Sequence, residues 1–259
     1  MPLQTTRAKS TEDIRAFFDA IAASYADLHG HADQALRYRL NLIDSLLTGT
    51  PRNTLVEIGC GTVLHLFPLA SSFQQTIGPD LSPAMIARAE AIRSNHSHAQ
   101  HIQLQVDPAE SLATISNQTA DAVLCVGALE HMPDKAAVLH QVYRVLKPGG
   151  AFVCLTPNGD YAWYRQLAPR LGLSIRHLST DQFLGQQELC ALLTDSGLTL
   201  ERIQAWTFIP RGDMPRHWAS VLKFADRIGR LTGASCFRGG LALRAIKPMF
   251  SAPPDRSGE

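Results

Sequence analysis

The sequence predicts an α/β protein with a doubly wound, mostly parallel sheet of seven strands, helices on both faces and an N-terminal helical cap. Five short apolar runs between Thr54 and Thr156 alternate with amphipathic stretches, a pattern typical of parallel strands joined by right-handed crossovers. Two further strand-like runs, LTLERIQAWTFI and GLALRAI, complete seven strands. With 259 residues, 45% of them hydrophobic, the chain can bury one such core.

The chain divides into a cap, a sheet domain and a tail. Residues 1–50 are predicted to form the cap, and residues 51–248 the sheet domain. Within that domain the regular alternation loosens over 157–185 and 211–238, which we interpret as inserted segments. The final stretch, 249–259, is predicted to be disordered.

Several helices have recognisable start or stop signals. Residues 11–47 have apolar side chains at helical spacing and predict two helices. Ser82 is expected to be the N-cap of the helix SPAMIARAEAIR, with Pro83 in its first turn. Another helix is predicted from Asp134 to Leu146, where Pro-Gly-Gly ends it.

Composition and charge disfavour several classes of protein. A net charge of +1 gives no global field that would attract nucleic acid, and no nucleic-acid partner is expected. The five cysteines form no CxxC pair and no metal-ligand spacing, which favours a reducing compartment. With no apolar signal core and no run of about 18 apolar residues, the protein is expected to be soluble and cytoplasmic.

A glycine turn, EIGCGTV at 57–63, stands where the first strand meets the first helix. Glycine lets the backbone turn sharply and approach a ligand closely. Asp80 follows at the end of the second strand, where a carboxylate can accept hydrogen bonds from both ribose hydroxyls, so the pair predicts an adenosine site. NAD is disfavoured because Leu64 stands where its fingerprint needs glycine, and no Walker loop is present.

Four motifs together resemble a known enzyme family. They are VEIGCGT at 56–62, DLSPAMIARA at 80–89, VGALEHMPD at 126–134 and LKPGG at 146–150. This combination resembles the class I S-adenosylmethionine-dependent methyltransferases, which have a Rossmann-like fold. Within them the chain is most similar to the branch of ubiquinone-pathway O-methyltransferases, the type 11/12 methyltransferases.

The resemblance implies that the cofactor is S-adenosyl-L-methionine. It implies these cofactor-binding residues: Tyr25, Glu57, Gly59, Cys60, Gly61, Asp80, Leu81, Asp107, Pro108, Ala109, Val126 and Gly127. The glycine turn would pass under the methionine part of the cofactor, with Glu57 orienting the turn. Asp80 would hold the ribose, and Leu81 would pack on the adenine.

The remaining implied contacts surround the adenine and the sulfonium. Asp107 begins the third-strand loop at the adenine edge, although VDPAE shifts the acid by one place from the common G-D-A-E pattern. Val126 and Gly127 would end the fourth strand beneath the sulfonium. Tyr25 resembles the aromatic residue that closes over the cofactor.

The chain departs from the family pattern at two places. Val63 stands where a small residue is usual, and a β-branched side chain there would be strained if the position needed positive φ. The branch often has an E-x-x-E-H cluster suited to a divalent metal, but here Gly127 replaces the first acid and only Glu130 and His131 are kept. No metal is therefore expected.

His131 is the predicted catalytic base, because it follows the fourth strand and imidazole has a suitable pKa. The alternative is that His131 caps or orients the loop before Asp134. His177 is a second candidate base, with simple solvent exposure as its alternative. The aromatic set of the first insert could line an acceptor pocket or form ordinary core packing: Tyr161, Trp163, Tyr164 and Phe183.

The segment 214–231 predicts a cationic amphipathic helix. This helix either makes peripheral contact with an anionic membrane or forms a solvated lid.

The motifs and candidate residues together predict methyl transfer to a small, lipophilic or aromatic acceptor, with oxygen as the first choice of target atom. The rival hypothesis is a catalytically weak or inactive relative that serves as a binding partner. The sequence does not indicate the oligomeric state.

Overall fold

A computed structural model describes residues 6–7, 10–25, 33–95, 97–173, 176–208 and 216–249, without the side chains of 33–34 and 216–220. The predicted tail beyond residue 249 lies outside the described residues.

The predicted seven-stranded α/β sheet is confirmed. Its strands are β1 Thr54–Glu57, β2 Gln75–Asp80, β3 Ile102–Val106, β4 Ala120–Val126, β5 Leu146–Pro157, β6 Thr199–Trp206 and β7 Gly240–Ile246. The order is β3-β2-β1-β4-β5-β7-β6. The first five strands are parallel and β7 runs antiparallel between β5 and β6. The order reverses between β1 and β4, so the carboxyl ends of those strands form the crevice where open α/β sheets bind ligands.

Helices cover both faces of the sheet. They are α1 Thr11–Ile21, α2 Asp33–Leu46, α3 Leu66–Ala70, α4 Pro83–Arg93, α5 Lys135–Val145, α6 Gln186–Asp195 and α7 Arg216–Thr232. A π-helical turn, Trp163–Leu167, and one α-helical turn, Ala168–Arg170, lie in the first insert. Shorter 3-10 turns span Ala99–His101, Leu129–His131 and Ser235–Phe237.

The core has two layers because successive strand residues point to opposite faces. In β1, Val56 belongs to the cluster on one face and Leu55 to the cluster on the other. In β4, Val123 and Leu124 divide in the same way. Strands buried on both faces explain the continuous apolar runs in the sequence.

The two predicted helix starts near the sheet edge are confirmed. The Ser82 hydroxyl accepts a hydrogen bond from the Met85 amide at 3.1 Å, and Pro83 is the first residue of α4. The Asp134 carboxylate accepts one from the Ala137 amide at 2.9 Å, and α5 ends at Val145, one residue earlier than predicted.

The two N-terminal helices pack differently. Helix α2 contributes Ile43 and Leu46 to the core beside β1, so it is part of the layered domain. Helix α1 lies over the carboxyl edge of the sheet and contacts α4. There Asp19 accepts hydrogen bonds from the Ser82 hydroxyl at 2.5 Å and the Ala84 amide at 3.1 Å, which attaches α1 to the start of α4.

The two inserted segments pack against each other. Tyr161, Trp163 and Tyr164 of the first insert are buried together with Leu222 of α7. In the described part of the chain, no helix has the length and apolarity needed to cross a membrane.

Candidate functional site

A cleft opens at the carboxyl ends of β1 to β4, under α1. Its walls come from the predicted glycine turn, from the loops after β2, β3 and β4, and from α1. The lining residues are Ile14, Phe18, Tyr25, Gly59, Gly61, Asp80, Leu81, Met85, Asp107, Ala109, Glu110, Gly127, Ala128, His131, Met132 and Pro133. The predicted residues are therefore gathered at one place, with four exceptions: Glu57, Cys60, Pro108 and Val126.

The glycine turn has the backbone conformation that its residues predict. Gly59 has φ +64° and Gly61 has φ +52°, both in the left-handed region that favours glycine. A Cβ on Gly59 would lie 2.7 Å from the Cβ of Ala128, so the turn and the loop after β4 touch. The Gly59 and Cys60 amides donate to the carbonyl of Pro79, which fixes the turn against β2.

Val63 has the positive φ at which a β-branched side chain is strained. Its φ is +62°, and its side chain is buried in the core. For an L-residue this conformation costs roughly 1–2 kcal/mol. The strain lies in the core below the glycine turn, because Val63 does not line the cleft.

Asp80 is held by backbone amides at the centre of the cleft. One carboxylate oxygen accepts from the Gly61 amide at 2.8 Å and the other from the Ser82 amide at 2.9 Å. Burial raises its pKa, and these two bonds oppose the rise. A carboxylate has about four acceptor sites. Asp80 therefore keeps capacity for hydroxyl donors.

Tyr25 covers the turn from above. A Cβ placed on Gly61 would be 3.5 Å from its ring. Burial first, and then the charge of Asp80, raise the pKa of Tyr25, so the phenol stays neutral. The closing role over the cofactor that the resemblance implies for Tyr25 stays a prediction.

The charge of the cleft suits a cationic cofactor. The lining contains three carboxylates, Asp80, Asp107 and Glu110, and no lysine or arginine. Such a surface repels a pyrophosphate and attracts a sulfonium or an ammonium group. The residues present therefore fit S-adenosylmethionine better than a dinucleotide.

Two predicted residues of the turn point away from the cleft. Glu57 is buried with one carboxylate oxygen 3.2 Å from Nδ1 of His65, a partner that the sequence did not indicate. Cys60 points beneath the turn, where a Cβ on Gly78 would come within 2.9 Å of its sulfur. Burial raises the pKa of the Cys60 thiol. Neither residue lines the cleft, and Cys60 holds the turn in place through its amide, which donates to the Pro79 carbonyl.

Pro108 and Val126 also miss the cleft. Val126 packs on the core face beside β1, because side chains alternate along β4. Its neighbour Gly127, with φ +61°, ends the strand and lines the cleft instead. At the third-strand loop, Ala109 and Glu110 line the cleft and Pro108 does not.

His131 is paired with a carboxylate that sequence reasoning missed. Its Nδ1 lies 2.7 Å from Asp181, whose side chain is fully buried. Burial raises the pKa of Asp181, but the bond from His131 and the amides of His177 and Leu178, at 2.9 Å each, lower it overall. An ionised Asp181 can only accept, so Nδ1 is the protonated nitrogen and Nε2 the free base in neutral imidazole.

The pKa of His131 is set by opposing effects. Burial lowers it, while the bond to Asp181 and the charge of Glu130 outweigh burial and raise it above the ordinary value. Phe18 of α1 packs edge-on against the ring at 5.3 Å between centroids. The second candidate, His177, lies 6.1 Å from His131 between ring centroids and supports Asp181 through its amide.

The aromatic set of the first insert does not line the cleft. Tyr161 and Tyr164 meet edge-to-face at 5.1 Å, and Phe183 lies 4.9 Å from Tyr164 between ring centroids. This is the core-packing alternative, because the rings are used to join the insert to α7. The apolar wall near His131 is formed instead by Phe18 and Met132.

The loop after β4 also contains a buried acid. Glu130 accepts from the Thr156 hydroxyl at 3.3 Å, and burial raises its pKa. Among the described residues, no three side chains of the histidine, cysteine, aspartate and glutamate types are grouped as a set of metal ligands.

Comparisons with known proteins agree with this geometry. Residues 56–154 match the family described as methyltransferase domain. The chain is 28% identical over 218 residues to a ubiquinone biosynthesis O-methyltransferase of Alkalilimnicola ehrlichii, covering 80% of this chain and 86% of that protein. It is 26% identical over 203 residues to the Acinetobacter baumannii (strain AYE) protein of the same name, covering 75% and 85%.

Solved structures share the fold. Geranyl diphosphate C-methyltransferase from Streptomyces coelicolor, solved with Mg²⁺, geranyl diphosphate and S-adenosyl-L-homocysteine, aligns with TM-score 0.64 at 16% identity over 92% of this chain and 97% of that chain. The [4+2]-cyclase SpnF aligns with TM-score 0.69 at 17% identity over 95% and 100%. One fold therefore serves different chemistries, and the activity has to be argued from the site.

Proposed function

Because this chain is an S-adenosylmethionine-dependent methyltransferase, we propose that it methylates a hydroxyl oxygen of a small, lipophilic or aromatic acceptor, with His131 as the base. The cofactor supplies a methyl group already activated by a positive sulfonium. The protein's contribution is to hold the acceptor oxygen in line with that methyl group and to take up its proton.

The observation on which the proposal depends is the His131–Asp181 pair at the cleft. Asp181 holds the imidazole by Nδ1, which leaves Nε2 to accept a proton from an acceptor hydroxyl. A phenol or hydroxyl needs such a base near neutrality, whereas a neutral amine has a nucleophilic lone pair already. The names of the similar O-methyltransferases support oxygen as the target.

The surroundings of His131 support an apolar acceptor. Phe18, Met132 and Pro133 line this side of the cleft. Apolar walls with few polar groups are typical of sites for flat or lipophilic small molecules. On the other side, the glycine turn and Asp80 are proposed to hold the methionine and ribose parts of the cofactor.

The test is a transfer assay with cofactor labelled in its methyl group and panels of catechols, phenols, quinols and matched aromatic amines. We expect labelled O-methyl products from the hydroxyl panel, identified by mass spectrometry. His131→Gln should lose this activity while still binding S-adenosylhomocysteine. N-methylated products alone, or hydroxyl methylation that persists in His131→Gln, would contradict the proposal.

The rival function, a binding protein with weak or no catalysis, has one observation in its favour. Val63 holds a strained conformation next to the glycine turn, where the family has a small residue. Against it, both carboxylate oxygens of Asp80 are fixed by amides at the cleft, an arrangement that a partner protein would not need. Calorimetric titration with S-adenosylhomocysteine, repeated on Asp80→Ala, tests whether the cofactor site works. Methyl transfer in the assay above then separates an enzyme from a protein that only binds the cofactor.

A lipophilic acceptor would also explain why α7 exposes an apolar face. Its outer face exposes Val221, Phe224, Ile228 and Leu231, spaced three or four residues apart on one side of the helix. Lys223, Arg227 and Arg230 are exposed on the same helix. We propose that this face contacts an anionic membrane surface from which the acceptor is taken.

A further inference from the structure

The N-terminal segment pairs with the turn that holds Asp181. The Thr6 amide donates to the His177 carbonyl at 2.8 Å, and the Thr6 carbonyl accepts from the Ser179 amide at 2.9 Å. These two bonds form an isolated parallel bridge between Thr6 and Leu178. Thr6 has an exposed side chain, so its backbone makes this contact.

One peptide group lies between Thr6 and Asp181. Its C=O belongs to His177 and accepts from the Thr6 amide. Its N–H belongs to Leu178 and donates to Oδ2 of Asp181 at 2.9 Å. A trans peptide is planar, so its oxygen and its hydrogen point in opposite directions, and the group cannot rotate away from one partner without leaving the other. The bond from Thr6 therefore helps to fix the direction of an amide that holds Asp181.

The other carboxylate oxygen of Asp181 contacts the candidate base. Oδ1 lies 2.7 Å from Nδ1 of His131, so three consecutive hydrogen bonds connect the Thr6 amide to the imidazole. The side chain of Asp181 and the residue Leu178 are both fully buried. Hydrogen bonds in such a series polarise one another, and they are stronger where water is excluded.

Apolar packing supports the same turn from α1. Leu178 is buried together with Ile14 of α1, and Phe17, Phe18 and Leu81 pack around them. The turn is therefore held by α1 through apolar side chains, as well as by the backbone of the segment that precedes this helix.

Several charged groups determine the pKa of His131. Burial, the largest effect, and the charge of Lys135 lower it, whereas Asp181 and Glu130 raise it. The ring of His177 lies 6.1 Å from that of His131 between centroids. Among these groups, Asp181 is the one that bonds to Nδ1, so a change in its position should alter this pKa.

We propose that Thr6 is a positioning residue for the reaction. Its backbone holds the peptide group that fixes Asp181, and through Asp181 it holds the imidazole of His131. The inference rests on the proposed role of His131 as the base. Its effect on the imidazole can be measured without any acceptor, which separates the two proposals.

The experiment compares Thr6→Pro with Arg7→Pro in the full chain. Proline has no amide hydrogen, so Thr6→Pro removes the first bond of the series. Successive N–H groups of an extended chain point to opposite sides, so Arg7→Pro introduces proline and keeps this bond. Both positions are exposed and precede α1, so both variants should fold.

The first measurement is the pH titration of the His131 ring by NMR in histidine-labelled protein, with the signal assigned by its loss in His131→Gln. In Thr6→Pro the pKa of His131 should lie between its values in the unaltered protein and in Asp181→Asn, because a loosened carboxylate raises it less. The kcat should fall by about tenfold, a part of the usual contribution of a general base. Arg7→Pro should match the unaltered protein in both measurements, and neither variant should alter the affinity for S-adenosylhomocysteine.

An unshifted His131 titration in Thr6→Pro would overturn the inference even if kcat or the melting temperature fell, because a merely structural role gives that result. An equal shift in Arg7→Pro, or a shifted titration with unaltered kcat, would overturn it too. These outcomes leave the O-methyltransferase proposal standing. Hydroxyl methylation that persists in His131→Gln would overturn the role of His131 as the base, and with it the role of Thr6 in the reaction.

Discussion

Nδ1 of His131 lies 2.7 Å from the carboxylate of Asp181, fifty residues further along the chain. The carboxylate also accepts the amides of His177 and Leu178, so it is fixed before it orients the imidazole. The first insert thus supplies the group that sets the tautomer of a histidine after β4. With His131 as the proposed base, this contact would make the insert part of the catalytic site through Asp181 and not through its aromatic residues.

Replacing His131 by Gln should lower kcat by about 10²- to 10⁴-fold, the usual contribution of a general base. The affinity for S-adenosylhomocysteine should change little, because Asp80 and the glycine turn are untouched. The exposed His140 on α5 provides the control, and His140→Gln should leave kcat unaltered. Steady-state kinetics and calorimetry on the same preparations measure both quantities.

The pH dependence should report the Asp181 partner. In the unaltered protein kcat/KM should rise as His131 loses its proton, with a midpoint above the ordinary histidine value because its pKa is raised. In Asp181→Asn the charge is gone while burial, which lowers the pKa, remains, so the midpoint should move to lower pH. A role for Asp181 in folding alone would leave the midpoint in place, as would a different base.

Val63 offers a test of stored backbone strain. At ordinary positions glycine is less stable than alanine by about 0.5–1 kcal/mol. At φ +62° the order should reverse, with Val63→Gly more stable than Val63→Ala by about 1 kcal/mol, because alanine keeps the left-handed strain. Both variants also lose the buried side chain of valine, and this loss lowers the stability of each.

Chemical denaturation of the two Val63 variants gives the comparison directly. Equal stabilities, or alanine above glycine, would show that this position is not strained. Affinity for S-adenosylhomocysteine should be measured alongside, because relief of strain at the end of the glycine turn tests the hypothesis of a weakened cofactor site.

The sequence predicted those parts of the site that depend on local conformation. Gly59, Gly61 and Asp80 could be identified because a turn between strand and helix needs glycine, and because the end of a neighbouring strand lies beside it. The directions of the side chains were harder to predict from the sequence. Cys60 and Val126 lie where expected along the backbone, but their side chains point into the core, since alternation along a strand and packing beneath a turn decide the direction.

Long-range partners could not be predicted from the sequence. No periodicity or spacing joins Asp181 to His131, because the contact depends on how the first insert folds back over the sheet edge. The hydrogen bonds that Asp107 accepts within its own loop could not be predicted either, because they depend on the turn that brings Thr114 back to the carboxylate. Both are outcomes of tertiary packing at irregular segments.

The last prediction concerns the exposed face of α7. Phe224→Glu and Ile228→Glu should each weaken binding to vesicles of phosphatidylcholine mixed with phosphatidylglycerol by about tenfold or more, since a buried apolar side chain contributes about 1.5–3 kcal/mol. Ile92→Glu on α4 is a matched control, because Ile92 and Ile228 are both 38% exposed, and it should have no effect.

Binding of the unaltered protein to the vesicles should also fall with added salt and on omission of phosphatidylglycerol, because Lys223, Arg227 and Arg230 would contact the anionic headgroups. Vesicle sedimentation measures all of this. If the α7 variants bind the vesicles as well as the unaltered protein does, or if binding does not depend on lipid charge, the proposed membrane contact is wrong. Another partner must then cover this face.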